Sequence, residues 1–289
     1  MEWTPGGSSQ DIEDRRDQSG GGGFGGGGFG FGGLGIGGII IIGLLSLIFR
    51  TNLFTFFTGD APPTEQVRTV PNPQRDAEEQ PLVEFVKFVL NDVQGNWDRA
   101  LPEQANRPYR HAKLVLFRNA TRSGCGLARE AIGPFYCPTD ERVYLDLGFF
   151  DELKNRFGAP GEFAQAYVIA HEIGHHVQKI LGIEPKVRRL QEANPEQANV
   201  LSVRMELQAD CFAGVWAHST AQRRIIDASD VRSGLAAAAA VGDDRLQREA
   251  GRRVSPESFT HGSSAQRTGW FQRGLENGAI TSCNTFERR

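Results

Sequence analysis

The stretch His171-Glu172-Ile173-Gly174-His175 has the residue types and the spacing of a metal site. On a helix, residues four apart lie on one face, so the imidazoles of His171 and His175 can converge on one cation. Zinc held in this way lowers the pKa of its water, and Glu172 is placed to take the released proton and pass it to a leaving amine. The motif therefore predicts a zinc site with Glu172 as general base.

A catalytic zinc ion usually has three protein ligands, so a third ligand must lie downstream of this motif. The metzincin pattern is excluded, because it requires a glycine and a histidine where this chain has Gln178 and Leu181. Glu206 and Asp210 lie four residues apart, in a segment too apolar to be freely solvated. We expect Glu206 to bind the metal and Asp210 to accept the outer N–H of a ligating histidine. Two solvated helix carboxylates are the competing interpretation.

His261 is a further candidate, because it lies in a polar loop before a predicted helix. In that position it could donate a hydrogen bond to the tetrahedral oxyanion of the reaction. A histidine that is hydrogen-bonded within its own loop explains the sequence equally well. We assign no role to the remaining histidines, His111, His176 and His218.

Helices must position most of these side chains. Apolar periodicity predicts five of them, over residues 82–94, 150–157, 162–181, 197–221 and 234–249. Two strands, Lys113 to Arg118 and Arg142 to Leu147, are predicted between the first two helices as part of a hairpin or short sheet. The strand from Arg142 could align an extended substrate. The expected fold class is α+β, mostly helical with a small sheet.

The N-terminal part has the composition of an anchor and a tether. Residues 19–49 contain no charged side chain, and the run from Phe29 to Phe49 has the length of about 20 residues that a transmembrane helix needs. Residues 1–28 form an acidic and glycine-rich tail that we predict to be disordered. Residues 50–81 are proline-rich and typical of a linker, so the globular domain is expected over residues 82–289. The flanking charges do not decide the orientation of the span.

The charge and the cysteine content restrict the class of partner and the compartment. The net charge is −3, and residues 1–33 already account for it, so the remainder is neutral. Without a cluster of Lys and Arg, the chain lacks what binding to a phosphate backbone requires, and we expect no nucleic acid partner. The four cysteines suit two disulfides in an oxidising compartment.

Beyond the metal motif, the sequence resembles the bacterial family known as putative neutral zinc metallopeptidases, a glutamate-zincin-like group with a short N-terminal anchor. The likeness covers most of the chain and rests on Glu13–Arg16, Gly133–Pro138, Val143–Asp146, the His171 motif, Gln208–Trp216, Gly242–Asp244 and Ser258–Arg267. It implies a zincin-like fold and a single-pass protein of the cell membrane with its domain outside the cytoplasm. It also implies disulfides between Cys125 and Cys137 and between Cys211 and Cys283.

The leading hypothesis is a membrane-anchored zinc metallopeptidase that hydrolyses the peptide bonds of a protein or peptide substrate with zinc-activated water. Its ligands would be His171, His175 and Glu206. The main rival is a non-catalytic, zinc-binding and membrane-tethered binding or assembly factor, and a structural zinc domain is a weaker third interpretation. Glu172 discriminates among them, because a purely structural site needs no general base. Nothing in the sequence indicates an oligomeric state.

Overall fold

The computed structural model describes residues 1–17, 73–129 and 133–287. As expected, these residues form an α+β fold that is mostly helical and has a small sheet. The described helices are α1 (Pro73–Ala105), α2 (Gly148–Asn155), α3 (Glu162–Ile180), α4 (Ile183–Ala193), α5 (Ala198–Gln222), α6 (Ala228–Ala240), α7 (Asp243–Glu249) and α8 (Ser264–Asn277). The described strands are β1 (Ile12–Asp14), β2 (Lys113–Phe117), β3 (Ala120–Ser123), β4 (Gly126–Arg129), β5 (Phe135–Cys137) and β6 (Arg142–Asp146). Short 3-10 turns cover Pro195–Gln197, Pro256–Ser258 and Ile280–Cys283.

The main sheet has the strand order β1-β2-β6-β5. Strands β1, β2 and β6 are parallel, β5 is antiparallel to β6, and β3 and β4 form a separate hairpin. The two strands predicted from the sequence are β2 and β6, whose central residues are apolar and which are almost completely buried, as parallel strands usually are. However, β6 has a neighbour on each side. Because β5 already pairs with Arg142–Tyr144, these residues cannot pair with a substrate strand, and the prediction is wrong for this part of β6. The edge on this side of the sheet belongs to β5.

Helix α3 lies at the centre of the helical part and is buried along most of its length. A Cβ atom at Gly174 would lie 3.0 Å from the carbonyl oxygen of Ala209, so this glycine lets α3 approach α5 closely. On its other side α5 packs against α8, where a Cβ atom at Gly274 would lie 2.0 Å from the carbonyl oxygen of Cys211. Glycines thus fix α5 between α3 and α8.

The predicted helix over residues 234–249 is in fact two helices, α6 and α7. Gly242 separates them in an extended conformation, with φ −73° and ψ 138°. A side chain at this position would collide with the backbone of Ser264, since a Cβ atom would lie 2.4 Å from its nitrogen. The local alanine content favoured a continuous helix, but the packing against the start of α8 interrupts it.

Residues 1–17 pack as part of the domain, so the prediction that they belong to a disordered tail is wrong. Strand β1 pairs with β2, and the indole of Trp3 packs against the rings of Phe85 and Phe88.

The linker predicted over residues 50–81 is wrong for residues 73–81, because α1 already begins at Pro73. Proline is well tolerated at a helix start, because the N–H groups of the first helical residues have no acceptor within the helix.

The two ends of the segment between residues 17 and 73 lie close together. Arg118 contacts Asp17 at 3.5 Å and Glu79 of α1 at 2.7 Å, and Arg16 contacts Glu79 at 2.9 Å. The transmembrane helix predicted over residues 29–49 lies outside the described residues.

Within the described ranges, no helix has both the length and the apolar character of a membrane span.

Two disulfides join the pairs that the resemblance implied. Cys125 is bonded to Cys137, the last residue of β5, and Cys211 of α5 is bonded to Cys283 in the last 3-10 turn. The second bond closes 72 residues of sequence and fixes the end of the described chain next to α5.

Candidate metal centre

Helices α3 and α5 bring together the three residues predicted as metal ligands. The Nε2 atom of His171 lies 3.2 Å from one carboxylate oxygen of Glu206, and the Nε2 atom of His175 lies 3.4 Å from the other. One ligand atom from each residue lies within 4.8 Å of those from the other two. Both histidines project from one face of α3, as their four-residue spacing requires.

This arrangement fits zinc. Ligand atoms bound to one tetrahedral zinc ion lie roughly 3.3 Å apart, given bonds of about 2.0–2.1 Å. The outer Nδ1 atoms of both histidines face acceptors, at Asp210 and at Gln178, so their Nε2 lone pairs are directed at the carboxylate. Nitrogen lone pairs facing a carboxylate need a cation or a proton between them.

The pKa values of the histidines show the same attraction for positive charge. Burial lowers the pKa of His171, but Asp210 and Glu206 outweigh burial and raise it to about 10. Burial also lowers the pKa of His175, and Glu206 again raises it above its usual value. Binding of a metal ion would displace these protons, since zinc binds neutral imidazole.

Asp210 occupies the supporting position predicted for it. Its Oδ1 atom lies 2.8 Å from Nδ1 of His171, and its side chain is completely buried. Tyr167 and Arg267 donate further hydrogen bonds to the same carboxylate. Burial raises the pKa of Asp210, but Arg267 and His171 outweigh burial and hold it below the usual value. An ionised acceptor of this kind fixes the tautomer of the ligating imidazole.

Glu172 lies beside the three ligands and is only 8 % exposed. The backbone of Tyr136 in β5 lies close enough to lower the pKa of this carboxyl group slightly. Burial raises the pKa of Glu172 and Glu206 adds to the effect, while His171 and His175 oppose it without cancelling it. A raised pKa makes this carboxylate a stronger base than an ordinary glutamate, as a group that accepts and returns a proton requires.

His261 approaches the same centre from the loop before α8. The Oδ2 atom of Asp243 accepts three backbone N–H groups of this loop, from Thr260, His261 and Gly262, and the Oδ1 atom lies 3.1 Å from Nδ1 of His261. Burial lowers the pKa of His261, but Asp243 and Glu206 raise it above its usual value. His261 is therefore held by Asp243 of α7 and by its neighbour Thr260, and its ring interacts with the charge of Glu206, a metal-ligand candidate.

The other histidines have partners elsewhere. His176 lies between the hydroxyl of Tyr136 and the backbone carbonyl of Arg110, at 2.9 and 2.7 Å. His111 contacts Asp11 and Asp98, and His218 contacts the carbonyl of Leu275.

Three residues of this centre were not identified from the sequence. From the sequence, Arg267 is only the end of a segment that resembles the family, and Gln178 serves only to exclude the metzincins. Tyr167 lies within the predicted helix over residues 162–181 and has no role assigned to it. Tyr167 stands four residues before His171, so helical spacing could have indicated it. No local pattern could have shown that Arg267 of α8 reaches α5.

Comparison with known proteins gives a match along nearly the whole chain. A family model described as "Putative neutral zinc metallopeptidase" matches residues 1–286. The uncharacterized protein YpfJ of Escherichia coli strain K12 is 46% identical over 288 residues, which cover 99% of each chain. The uncharacterized protein Rv2575 of Mycobacterium tuberculosis strain H37Rv is 42% identical over 207 residues, 68% of each chain. No solved structure matches.

Proposed function

The chain belongs to the family of putative neutral zinc metallopeptidases, and from this premise we propose that it hydrolyses peptide bonds, with zinc held by His171, His175 and Glu206. The observation that carries the proposal is Glu172, a buried carboxyl group with a raised pKa beside the ligand cluster. A structural zinc site usually has four protein ligands and no adjacent base, so Glu172 favours catalysis.

Zinc in such a site acts as a Lewis acid and lowers the pKa of water. Glu172 would take the proton of the attacking water and later deliver it to the leaving amine. Glu206 and the two histidines would hold the metal, and Asp210 would keep His171 oriented through its Nδ1 atom. Nδ1 of His261 faces the carboxylate of Asp243, so Nε2 would donate to the oxyanion on the substrate carbonyl when the ring is protonated, a state that the raised pKa of His261 favours.

We propose that the substrate is a protein or peptide bound in an extended conformation next to β5. This strand is at the edge of the sheet, and the backbone of Tyr136 in β5 lies near Glu172, whose pKa it lowers slightly. A peptide that adds to a sheet edge is aligned by main-chain hydrogen bonds, which do not depend on its sequence. Such binding would place a scissile bond near the proposed base.

The decisive experiment compares the full chain with its Glu172→Gln variant for zinc content and for cleavage of denatured casein. Both proteins should bind zinc, because Glu172 is not a proposed ligand. Cleavage by the variant should fall by about 10²–10⁴-fold, the usual contribution of a general base. Glu192→Gln, an exposed change on α4, serves as the matched control and should leave both properties unchanged.

Two results would contradict parts of the proposal. If the zinc-loaded wild-type chain cleaves no unstructured protein, the chain is better described as a zinc-binding assembly or binding factor. If zinc content survives Glu206→Ala while His171→Ala and His175→Ala abolish it, then Glu206 is not the third ligand.

We also propose that the domain lies outside the cytoplasm and is held at the membrane through the segment between residues 17 and 73. The two disulfides support an oxidising compartment, and the uncharged run from Phe29 to Phe49 supports contact with lipid. Because β1 belongs to the domain, residues 1–17 and 73–287 would share one side of that membrane.

A further inference from the structure

Gln178 is a completely buried polar residue in direct contact with a proposed metal ligand. It follows His175 by three residues on α3, and its Oε1 atom lies 2.9 Å from Nδ1 of that histidine. Its Nε2 atom donates to the backbone carbonyl of Met205 at 2.7 Å and to Oε1 of Gln208 at 3.2 Å. Met205 directly precedes Glu206. One amide thus contacts the second ligand and the backbone beside the third.

Gln208 extends this series of hydrogen bonds toward Cys283, near the C-terminal end of the described residues. Its Nε2 atom donates to the backbone carbonyl of Cys283 at 2.9 Å, and its side chain is buried. Cys283 is bonded to Cys211, which stands three residues after Gln208 on α5. The disulfide therefore fixes the position of the Cys283 carbonyl, which accepts the last hydrogen bond of this series.

The direction of every hydrogen bond in this chain is determined by its ends. Backbone carbonyls only accept, so Met205 and Cys283 must face the NH₂ groups of Gln178 and Gln208. The Oε1 atom of Gln178 is then the atom that faces His175, and an amide oxygen can only accept. His175 must carry its proton on Nδ1. Its Nε2 lone pair is left for the metal.

We propose that Gln178 is a positioning residue that holds His175 in the tautomer competent for metal binding and fixes its spacing from Glu206. Gln208 and the Cys211–Cys283 disulfide keep Gln178 in place. This inference rests on the proposed function, since it takes His175 and Glu206 as metal ligands. It assigns the excluded metzincin position a different use: the residue there orients a ligand instead of extending the zinc motif.

The two histidines are oriented by groups of different charge, and there is a physical reason for this. Asp210 behind His171 is negative, but Arg267 pairs with it. Glu172 and Glu206 already add carboxyl groups to the centre. Another carboxylate behind His175 would be buried without a cationic partner, which is costly. A neutral amide supplies the same acceptor without that charge.

The test uses the full chain with Gln178→Leu. Zinc affinity is measured by competition with a chromophoric chelator. The tautomer of His175 is read in the zinc-free protein from ¹⁵N chemical shifts, assigned with His175→Ala, at an alkaline pH where the ring has lost its second proton. We expect zinc binding to weaken by about 10–100-fold, as for other supporting partners of metal ligands. We also expect a proton on Nε2 of His175 in a substantial fraction of molecules, because Nδ1 has lost its acceptor.

The matched control is Gln94→Leu. Gln94 is also completely buried and hydrogen-bonded, to Ala112, Tyr109 and Asp11, but it lies on α1 away from the ligands. It should lower the thermal stability and leave the zinc affinity and the His175 tautomer unchanged. Gln178→Glu keeps an acceptor for His175 and loses the donor to Met205. It should therefore retain the tautomer while zinc binding weakens.

Gln208→Leu provides a second variant in case Gln178→Leu does not fold. It should weaken zinc binding less than Gln178→Leu, and the double variant should be no weaker than Gln178→Leu alone, because both changes interrupt one chain. An affinity for zinc within about threefold of wild type in Gln178→Leu, with Nδ1 still protonated, would overturn the proposal. If the wild-type chain binds no zinc, the proposed function fails, and the tautomer measurement still decides the role of Gln178.

Discussion

Arg267 of α8 donates a hydrogen bond to each carboxylate oxygen of Asp210 on α5, from Nε at 2.8 Å and from Nη2 at 2.9 Å. Both side chains are almost completely inaccessible to solvent. Asp210 in turn faces Nδ1 of His171 on α3. A cation on α8 therefore stabilises the anion that orients a proposed metal ligand two helices away, and the support of the metal centre extends to the last described helix.

We expect Arg267→Met to lower the free energy of unfolding by about 3–5 kcal/mol, because it leaves Asp210 buried and without its cation. Equilibrium urea unfolding measures this loss. Arg248→Met is the matched control, since Arg248 pairs with Asp244 one helical turn away and is 60% exposed. Such exposed pairs contribute at most about 1 kcal/mol. Equal losses of unfolding free energy in the two variants would mean that the buried pair stabilises the protein no more than the exposed pair does.

The close packing of α5 and α8 gives a second prediction. Gly274→Ala should destabilise the protein by about 1–3 kcal/mol or more, because its new methyl group would collide with the backbone at Cys211. Gly269 lies on the same helix and is exposed, and a Cβ atom there would have no neighbour within 4 Å. Gly269→Ala should instead stabilise by about 0.5–1 kcal/mol, since alanine favours the helix. Thermal unfolding of both variants decides, and a stable Gly274→Ala protein would contradict the packing described.

Helical periodicity is the part of the site that could be predicted from the sequence. His171 and His175 share a face because they are four residues apart, and Glu206 and Asp210 share a face for the same reason. These are local relationships. The contact of Arg267 with Asp210 and that of Gln208 with Cys283 depend on how helices pack, and no periodicity within one segment encodes them.

The N-terminal strand β1 could not be predicted from local sequence patterns either. Ile12-Glu13-Asp14 is short and mostly acidic, so it lacks the apolar alternation that identifies a strand. It becomes a strand because β2 offers an edge and because Arg142 and Arg16 pair with Glu13 and Asp14. The composition of the neighbouring glycine-rich sequence then suggested that the whole region was a tail.

His111 predicts a dependence of stability on pH. It lies between Asp11 of the N-terminal segment and Asp98 of α1, and these carboxylates outweigh burial and raise its pKa. A histidine with a raised pKa stabilises the folded state below its unfolded pKa of about 6.5, and the contribution is lost as the pH rises through the folded value.

The wild-type chain should therefore exceed His111→Gln in stability by more at about pH 5.5 than at about pH 9. Because the imidazole is 41% exposed, the difference should not exceed about 1 kcal/mol. Urea unfolding of both proteins at the two pH values measures it. A difference that is constant with pH would show that His111 packs there without binding a proton.

The pairing of β1 with β2 makes a prediction about membrane topology. Ser8→Cys and Glu276→Cys each introduce one thiol at an exposed position. Ser8 precedes the apolar run from Phe29 to Phe49, and Glu276 lies far after it. The four native cysteines are in disulfides and should not react. If both ends belong to one domain, a membrane-impermeant maleimide should label both variants to the same extent, in intact cells whose outer membrane has been made permeable. Labelling of only one variant would indicate a single crossing and would separate β1 from its sheet. Lysed cells provide the control, because both thiols must react there for the comparison to count.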